Sequence, residues 1–225
     1  EDASTRSVTV TATDAGGLTS QQSLTVHVAD VNEAPVITSA AAFSIAENGA
    51  AVSTMTSIDP DAGATKSWSI SGTDAALFQI DGATGALSFM GAPDYEGPQD
   101  AGGDNVYDLT VSVSDGTNVT SQNLAVTVTN VNETPSLTLT GSGPIAENVV
   151  AATVASFSAS DPDAGTTLTY TLGGADAALF KLDGTTVRLK DGVSLDYEQA
   201  AHRDLTLTVS DGTKSVTQAL TITVT

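Results

Sequence analysis

Carboxylates recur along this chain in short, fixed groupings. Glu47-Asn48 returns as Glu147-Asn148, Asp59-Pro60-Asp61 as Asp161-Pro162-Asp163, Asp94-Tyr95-Glu96 as Asp196-Tyr197-Glu198, and Asp115-Gly116-Thr117 as Asp211-Gly212-Thr213. Carboxylates are hard oxygen donors, and sets of them suit Ca2+, which takes about six to eight oxygens in flexible mono- and bidentate geometry, better than zinc or copper. The overall charge points the same way. With 27 acidic against 7 basic side chains the formal net charge is -20, a self-repulsion that opposes a compact fold unless cations neutralise part of it. The same field repels phosphate backbones and anionic lipid, which argues against nucleic-acid and membrane-surface partners.

Other chemistries lack their residues. The chain has no cysteine, so disulfides, thiolate metal sites and cysteine nucleophiles are excluded. His27 and His202 are too few and too isolated for a catalytic constellation, and neither a Gly-x-Ser-x-Gly elbow nor a His-Glu-x-x-His helix occurs. Asp94 and Glu96 could serve as a glycosidase pair, but a metal would hold both ionised and make them poor acids. The expectation is a protein that is not an enzyme.

Carboxylates act together only if a scaffold gathers them, and the repeat describes that scaffold. Asp74-Ala75-Ala76-Leu77-Phe78 returns as Asp176-Ala177-Ala178-Leu179-Phe180, and the connector Asp30-Val31-Asn32-Glu33-Ala34-Pro35 matches Asn130-Val131-Asn132-Glu133-Thr134-Pro135. Aligning Asp14 with Asp211 places Glu1 on Glu198, so residues 1–34 read as the last third of a repeat, followed by modules at 35–134 and 135–225. About a hundred residues is the usual size of a sandwich domain. Val8 to Thr13, Leu24 to Val28, Leu109 to Val113, Leu124 to Val128, Leu205 to Val209 and Leu220 to Val224 alternate apolar with polar residues, the period of half-buried strands. Asp-Gly, Gly-Gly and Pro-Asp clusters between them supply turns, and no helical period is evident. Aromatic residues make up 4% of the chain, so the core is expected to consist mainly of Val, Leu, Ile and Ala. No run of about 18 apolar residues and no signal-peptide pattern is present, so targeting information is expected outside this segment.

These landmarks resemble the cadherin family, in the divergent form common in large bacterial adhesins and matrix proteins, over essentially the whole chain. The resemblance implies an all-β fold of tandem cadherin-like, immunoglobulin-like Greek-key β-sandwiches with calcium held between modules. Carried onto these residues, one junction would use Glu47, Asp94 and Glu96 on one side and Asp161, Asp163 and Asp211 on the other, closed by Asn130, Asn132 and Glu133. The preceding junction would use Glu1, Asp30, Asn32 and Glu33 with Asp59, Asp61 and Asp115. Glu147, Asp196 and Glu198 would form half of a third cage. The connector has Asn-Glu where the family has Asp-Asn, is one residue shorter, and carries Asn130 where Asp30 stands in the other copy. At least one ion per full junction is therefore expected rather than three.

By the same resemblance the chain is expected to be an extracellular adhesion or biofilm-matrix segment that contacts acidic exopolysaccharide or another copy of itself. The alternatives are a passive calcium-stiffened spacer and an accessory carbohydrate-binding part of a polysaccharide-degrading enzyme. Trp68 is expected in the core, with an exposed sugar-stacking ring as the rival reading. Residues 97–105, an insertion in the second module that the third lacks, are expected to be a solvated loop, with an extra ion site or a ligand-binding surface as the rival readings. Tyr95 and Tyr197 are expected to pack beneath the cages. Asn118-Val119-Thr120 and Asn132-Glu133-Thr134 match the glycosylation sequon, expected to be unused in a bacterial chain. Residues 1–30 form a lone strand pair that cannot bury a core by itself, and are expected to be disordered, to be cut from a longer array, or to pair with another chain's open edge.

Overall fold

Strict alternation of an apolar residue with Thr or Ser gives an extended chain one dry face and one wet face. The structure, a computed structural model describing residues 5–61, 63–141 and 143–225, pairs such strands into two compact units, Glu1–Asn130 and Val131–Thr225. Glu1 lies outside the described residues.

The first unit opens with β1 (Thr5–Thr13) and β2 (Thr19–His27), an antiparallel hairpin in register from Thr5 opposite His27 to Thr13 opposite Thr19. Its turn is closed by the amides of Gly16 and Leu18, which donate to Asp14 Oδ1 at 2.8 and 2.9 Å. All of its residues are exposed. This departs from the expected half-buried strands, because among the described residues the hairpin's sheet has only these two strands. β3 (Val36–Ile37), β4 (Ala42–Ala46), β5 (Ala51–Thr54), β6 (Ser57–Ile58), β7 (Ser67–Ser71), β8 (Phe78–Ile80), β9 (Ala86–Phe89), β10 (Val106–Ser114) and β11 (Val119–Thr129) follow. One sheet runs β4-β11-β10-β7, with β4 parallel to β11 and the other pairs antiparallel; the second runs β5-β9-β8, and β3 pairs with β6. Alternation along β10 turns Tyr107, Leu109, Val111 and Val113 inward against Leu87 and Phe89 of the facing sheet.

The centre of this core is more aromatic than the composition suggested. Phe78, Phe89 and Tyr107 form a trio with ring centroids 4.0, 5.0 and 6.0 Å apart, so several of the few rings the chain has are spent here. Trp68 joins them at 6% exposure. The indole is a core residue and not a sugar platform.

The second unit contains β12 (Ser136–Thr140), β13 (Thr153–Ser160), β14 (Thr169–Gly173), β15 (Phe180–Asp183), β16 (Thr186–Leu189), β17 (His202–Ser210) and β18 (Ser215–Thr223). They form sheets β12-β13-β16-β15 and β14-β17-β18 over a core that includes Phe157, Val187, Leu205, Leu207, Val209 and Ile222. Each unit thus has its own Greek-key sandwich core. Two single turns of 3-10 helix, Ala75–Leu77 and Ala177–Leu179, occupy the repeated Asp-Ala-Ala-Leu-Phe segments, too short to leave a helical period. The leading Asp of each accepts a strand amide: Asp108 N reaches Asp74 Oδ2 at 2.7 Å and Asp204 N reaches Asp176 Oδ2 at 2.8 Å.

Candidate calcium centres

Each unit ends in an acidic triad built by backbone pairing. In the first, the amide of Glu47 donates to Thr129 O on β11, the last strand of the sandwich, at 3.0 Å. Asn48 then turns the chain in the left-handed region (φ 63°) and donates its amide to Pro93 O. The repeated Asn is therefore a backbone requirement, since Asn tolerates this conformation better than most residues. Glu47, 4% exposed, accepts the Tyr95 amide on Oε2 at 2.9 Å, and Asp94 Oδ1 accepts the Glu96 amide at 3.1 Å. One carboxylate oxygen from each of Glu47, Asp94 and Glu96 lies within 4.8 Å of the other two. Asn130 donates Nδ2 to Glu96 Oε1 at 3.1 Å.

The second unit repeats the arrangement. Glu147 N donates to Thr225 O, Tyr197 N to Glu147 Oε2 at 3.1 Å and Glu198 N to Asp196 Oδ1 at 3.0 Å, and the three carboxylates again lie within 4.8 Å. Its crowding is visible in Glu198. A hydrogen bond from its own amide favours the charged form, but the hydrogen bond with Asp196 and the charge of Glu147 outweigh it and hold the carboxyl above its ordinary range.

A second acidic set lies against each connector. Asp61 N donates to Asp59 Oδ1 and Asp163 N to Asp161 Oδ1, both at 3.0 Å, so each Asp-Pro-Asp is a closed turn. Its last carboxylate grips the connector: Glu33 N reaches Asp61 Oδ2 at 2.8 Å, and Glu133 N reaches Asp163 Oδ2 at 2.7 Å. Asn32 donates Nδ2 to Asp115 Oδ2, and Asn132 to Asp211 Oδ2, each at 2.9 Å. Oxygens of Asp30, Glu33 and Asp61 lie within 4.8 Å of one another.

The late aspartates are held ionised. The amides of Asn118 and Thr117, then the Asn32 side chain, keep Asp115 below its ordinary range. For Asp211 the Asn132 side chain leads, aided by the Thr213 and Lys214 amides and the Lys214 charge.

Ligand fit has a direct test. Asp59 Oδ2 and Asp161 Oδ2, at matching positions of the two modules, are withdrawn from solvent and have no hydrogen-bond partner. An unmatched carboxylate oxygen taken from water is costly, a cost that a cation beside it would remove. The donors present are all oxygen, the chemistry of Ca2+ and not of zinc or copper.

Two expectations are corrected. Tyr95 and Tyr197 are 37% and 48% exposed, more open than rings packed beneath a cage, and the triplets are held by their backbone amides. The 97–105 insertion is not simply solvated. Ala101 N donates to Asp74 Oδ1, Asp100 (7% exposed) accepts the Asp104 and Asn105 amides, and Gln99 N reaches the Tyr107 hydroxyl.

The insertion ends at Asn105, a residue that sequence reasoning did not single out. It is 8% exposed, sits at φ 63° and donates Nδ2 to Tyr95 O at 2.9 Å, pinning the middle of the Asp94-Tyr95-Glu96 triplet. An Asn immediately before a strand was the only signal available. Replacing Asn105 with Ala is expected to destabilise the first unit by about 1–3 kcal/mol, through left-handed strain and the lost hydrogen bond, as measured by chemical denaturation.

Paired sheets around two separate cores make tandem β-sandwiches, and their structural neighbours give them a cadherin-like fold. Comparison with known proteins agrees. No family model matches the chain. Human Protocadherin Fat 4 is 30% identical over 234 residues, a match that covers 97% of this chain and 5% of that protein. The protocadherin gammaB7 EC3-6 cis-dimer structure is 25% identical with a TM-score of 0.61, covering 98% of this chain and 59% of that one. Human Protocadherin-24 EC1-2 is 23% identical with a TM-score of 0.57, covering 86% of this chain and all (100%) of that one, and shares the fold. No helix among the described residues is long and apolar enough to cross a membrane.

Proposed function

We propose that this chain is an extracellular adhesion segment in which calcium stiffens successive cadherin-type modules at 35–134 and 135–225, with residues 1–34 belonging to a preceding one. The observation that carries the reading is the pair of solvent-excluded, partnerless oxygens on Asp59 and Asp161, repeated at the same position of the Asp-Pro-Asp turn. Glu47, Asp94, Glu96 and Asn130 would supply one side of the fuller cage, and Asn132, Glu133, Asp161, Asp163 and Asp211 the other. The chain passes from the first unit to the second between Asn130 and Val131. Asp30, Asn32, Glu33, Asp59, Asp61 and Asp115 would serve the preceding junction, with Glu1 as a further donor.

Bound calcium supplies charge neutralisation and a shared coordination shell. The protein residues position oxygens, keep Asp115 and Asp211 ionised, and hold the connector rigid through the Glu33 and Glu133 amides. Nothing in this arrangement calls for catalysis, and we read the segment as non-enzymatic. The partner it suits best is another copy, as the gammaB7 relative forms a cis-dimer. Acidic exopolysaccharide bridged by calcium is the second ligand class, in the bacterial matrix setting that the repeat style suggests; the burial of Trp68 removes the indole that could have stacked on a sugar.

Adding millimolar calcium to the chelated chain is expected to raise its melting temperature and promote self-association in sedimentation experiments. A melting temperature unmoved by chelator defeats the calcium reading. Binding of exopolysaccharide without self-association would replace the partner, and absence of both would leave a stiffened spacer.

A further inference from the structure

The two connector-gripping sites share the same frame and differ at Asp30, matched by the neutral Asn130, and at the residue that caps the connector carbonyl. In the first, Asn32 bridges Asp115 and Glu33 O while its own carbonyl accepts the neutral Asn118 amide at 3.2 Å. In the second, Asn132 bridges Asp211 and Glu133 O in the same way, but its carbonyl accepts the Lys214 ammonium at 2.5 Å. Asn118 and Lys214 are equivalent: each follows Asp-Gly-Thr, and each donates its backbone amide to the preceding aspartate at 2.6 Å. We infer that Lys214 is a built-in cation that partly satisfies the second site and weakens its hold on calcium relative to the first. This rests on the calcium reading above.

The set of Asn132, Glu133, Asp161, Asp163 and Asp211 has four carboxylates, and an ammonium on the Asn132 carbonyl offsets one of them. A divalent ion arriving beside that ammonium meets repulsion that it does not meet at Asn118. At a separation of about 6 Å, even with the dielectric of water, one unit charge against two corresponds to roughly tenfold in affinity. Salt screens an exposed lysine, so the difference should shrink as ionic strength rises. The Lys214 ammonium would thus raise the calcium concentration at which its own site fills.

Calorimetric calcium titration of the whole chain tests this. Asp59→Asn with Asp61→Asn is introduced to silence the first site, and Lys214→Asn is then added; Asn is the residue that already closes the equivalent turn at 118, so folding is preserved. The expected result is affinity about tenfold tighter at low salt, with Lys214→Arg leaving it unchanged and Asn118→Lys in the otherwise native chain weakening the first site. If calcium binds but Lys214→Asn leaves the isotherm where it was, Lys214 has no such role. If no variant and no native chain binds calcium, the underlying reading fails instead, and the inference with it.

Discussion

With Asp161 and Asp163 both changed to Asn, the second unit is expected to lose most of its stabilisation by calcium while melting at or slightly above the native temperature in chelator. Asparagine retains the acceptor oxygens, so Asp163 N can still close the Asp-Pro-Asp turn and Glu133 N can still bind the side chain at 163. What disappears is two negative charges, while the partnerless oxygen at 161 gives way to an amide nitrogen in the same place. Without calcium that is relief, because the chain already carries a formal charge of -20 and like charges repel. With calcium it is loss: at free calcium about a hundredfold above the dissociation constant, a bound ion contributes about 2.7 kcal/mol. The matching pair Asp59→Asn and Asp61→Asn should leave the second unit's response intact. A double variant whose melting temperature climbs with calcium as steeply as the native chain would sink the assignment.

Acid should act on the same apparatus. Asp115 and Asp211 sit below the ordinary carboxylate value of 3.8, so their contribution is fully present above that value and is lost as pH falls through the lowered one. Glu198 is shifted the other way: the folded state holds its proton more tightly than the unfolded chain does. Its contribution in chelator is therefore largest below the unfolded value and falls as pH rises through the folded one.

What the sequence disclosed followed from how strongly each feature is encoded locally. The long strands Val106–Ser114, Val119–Thr129, His202–Ser210 and Ser215–Thr223 are visible because alternation over nine residues or more has no helical counterpart. The short strands at Ala42–Ala46, Ala51–Thr54 and Thr153–Ser160 are rich in Ala and Ser, so burial leaves little periodicity in them. The parallel pairing of Ala42–Ala46 with Ala125–Thr129 is set by nonlocal closure of the sandwich and leaves no local mark. The acidic groups were legible because they recur, yet recurrence alone did not separate their duties: Asp74 and Asp176 hold strand amides, while Asn48 and Asn148 supply backbone turns. Lys214 was hidden for the opposite reason. It is where the repeat breaks, and only the bond to the Asn132 carbonyl gives the break a meaning.

The two cores make a final prediction. Leu207 is 0% exposed, paired across β14 to Leu172 and flanked by Leu205 and Val209 on its own strand's inner face. Truncating it to Ala removes three carbons from a site closed by strands on both sides, where backbone pairing resists collapse into the void. The expected loss is about 2–5 kcal/mol, which for a unit of this size lowers its melting temperature by at least about 10 °C. Because Leu207 belongs to one apolar cluster and Leu124, Val126 and Tyr107 to another, in chelator the loss should fall on one of two calorimetric transitions. Leu124→Ala should lower the other. If Leu207→Ala shifts both transitions equally in the absence of calcium, the units do not melt independently, and stiffness along the chain would have a source besides the ion.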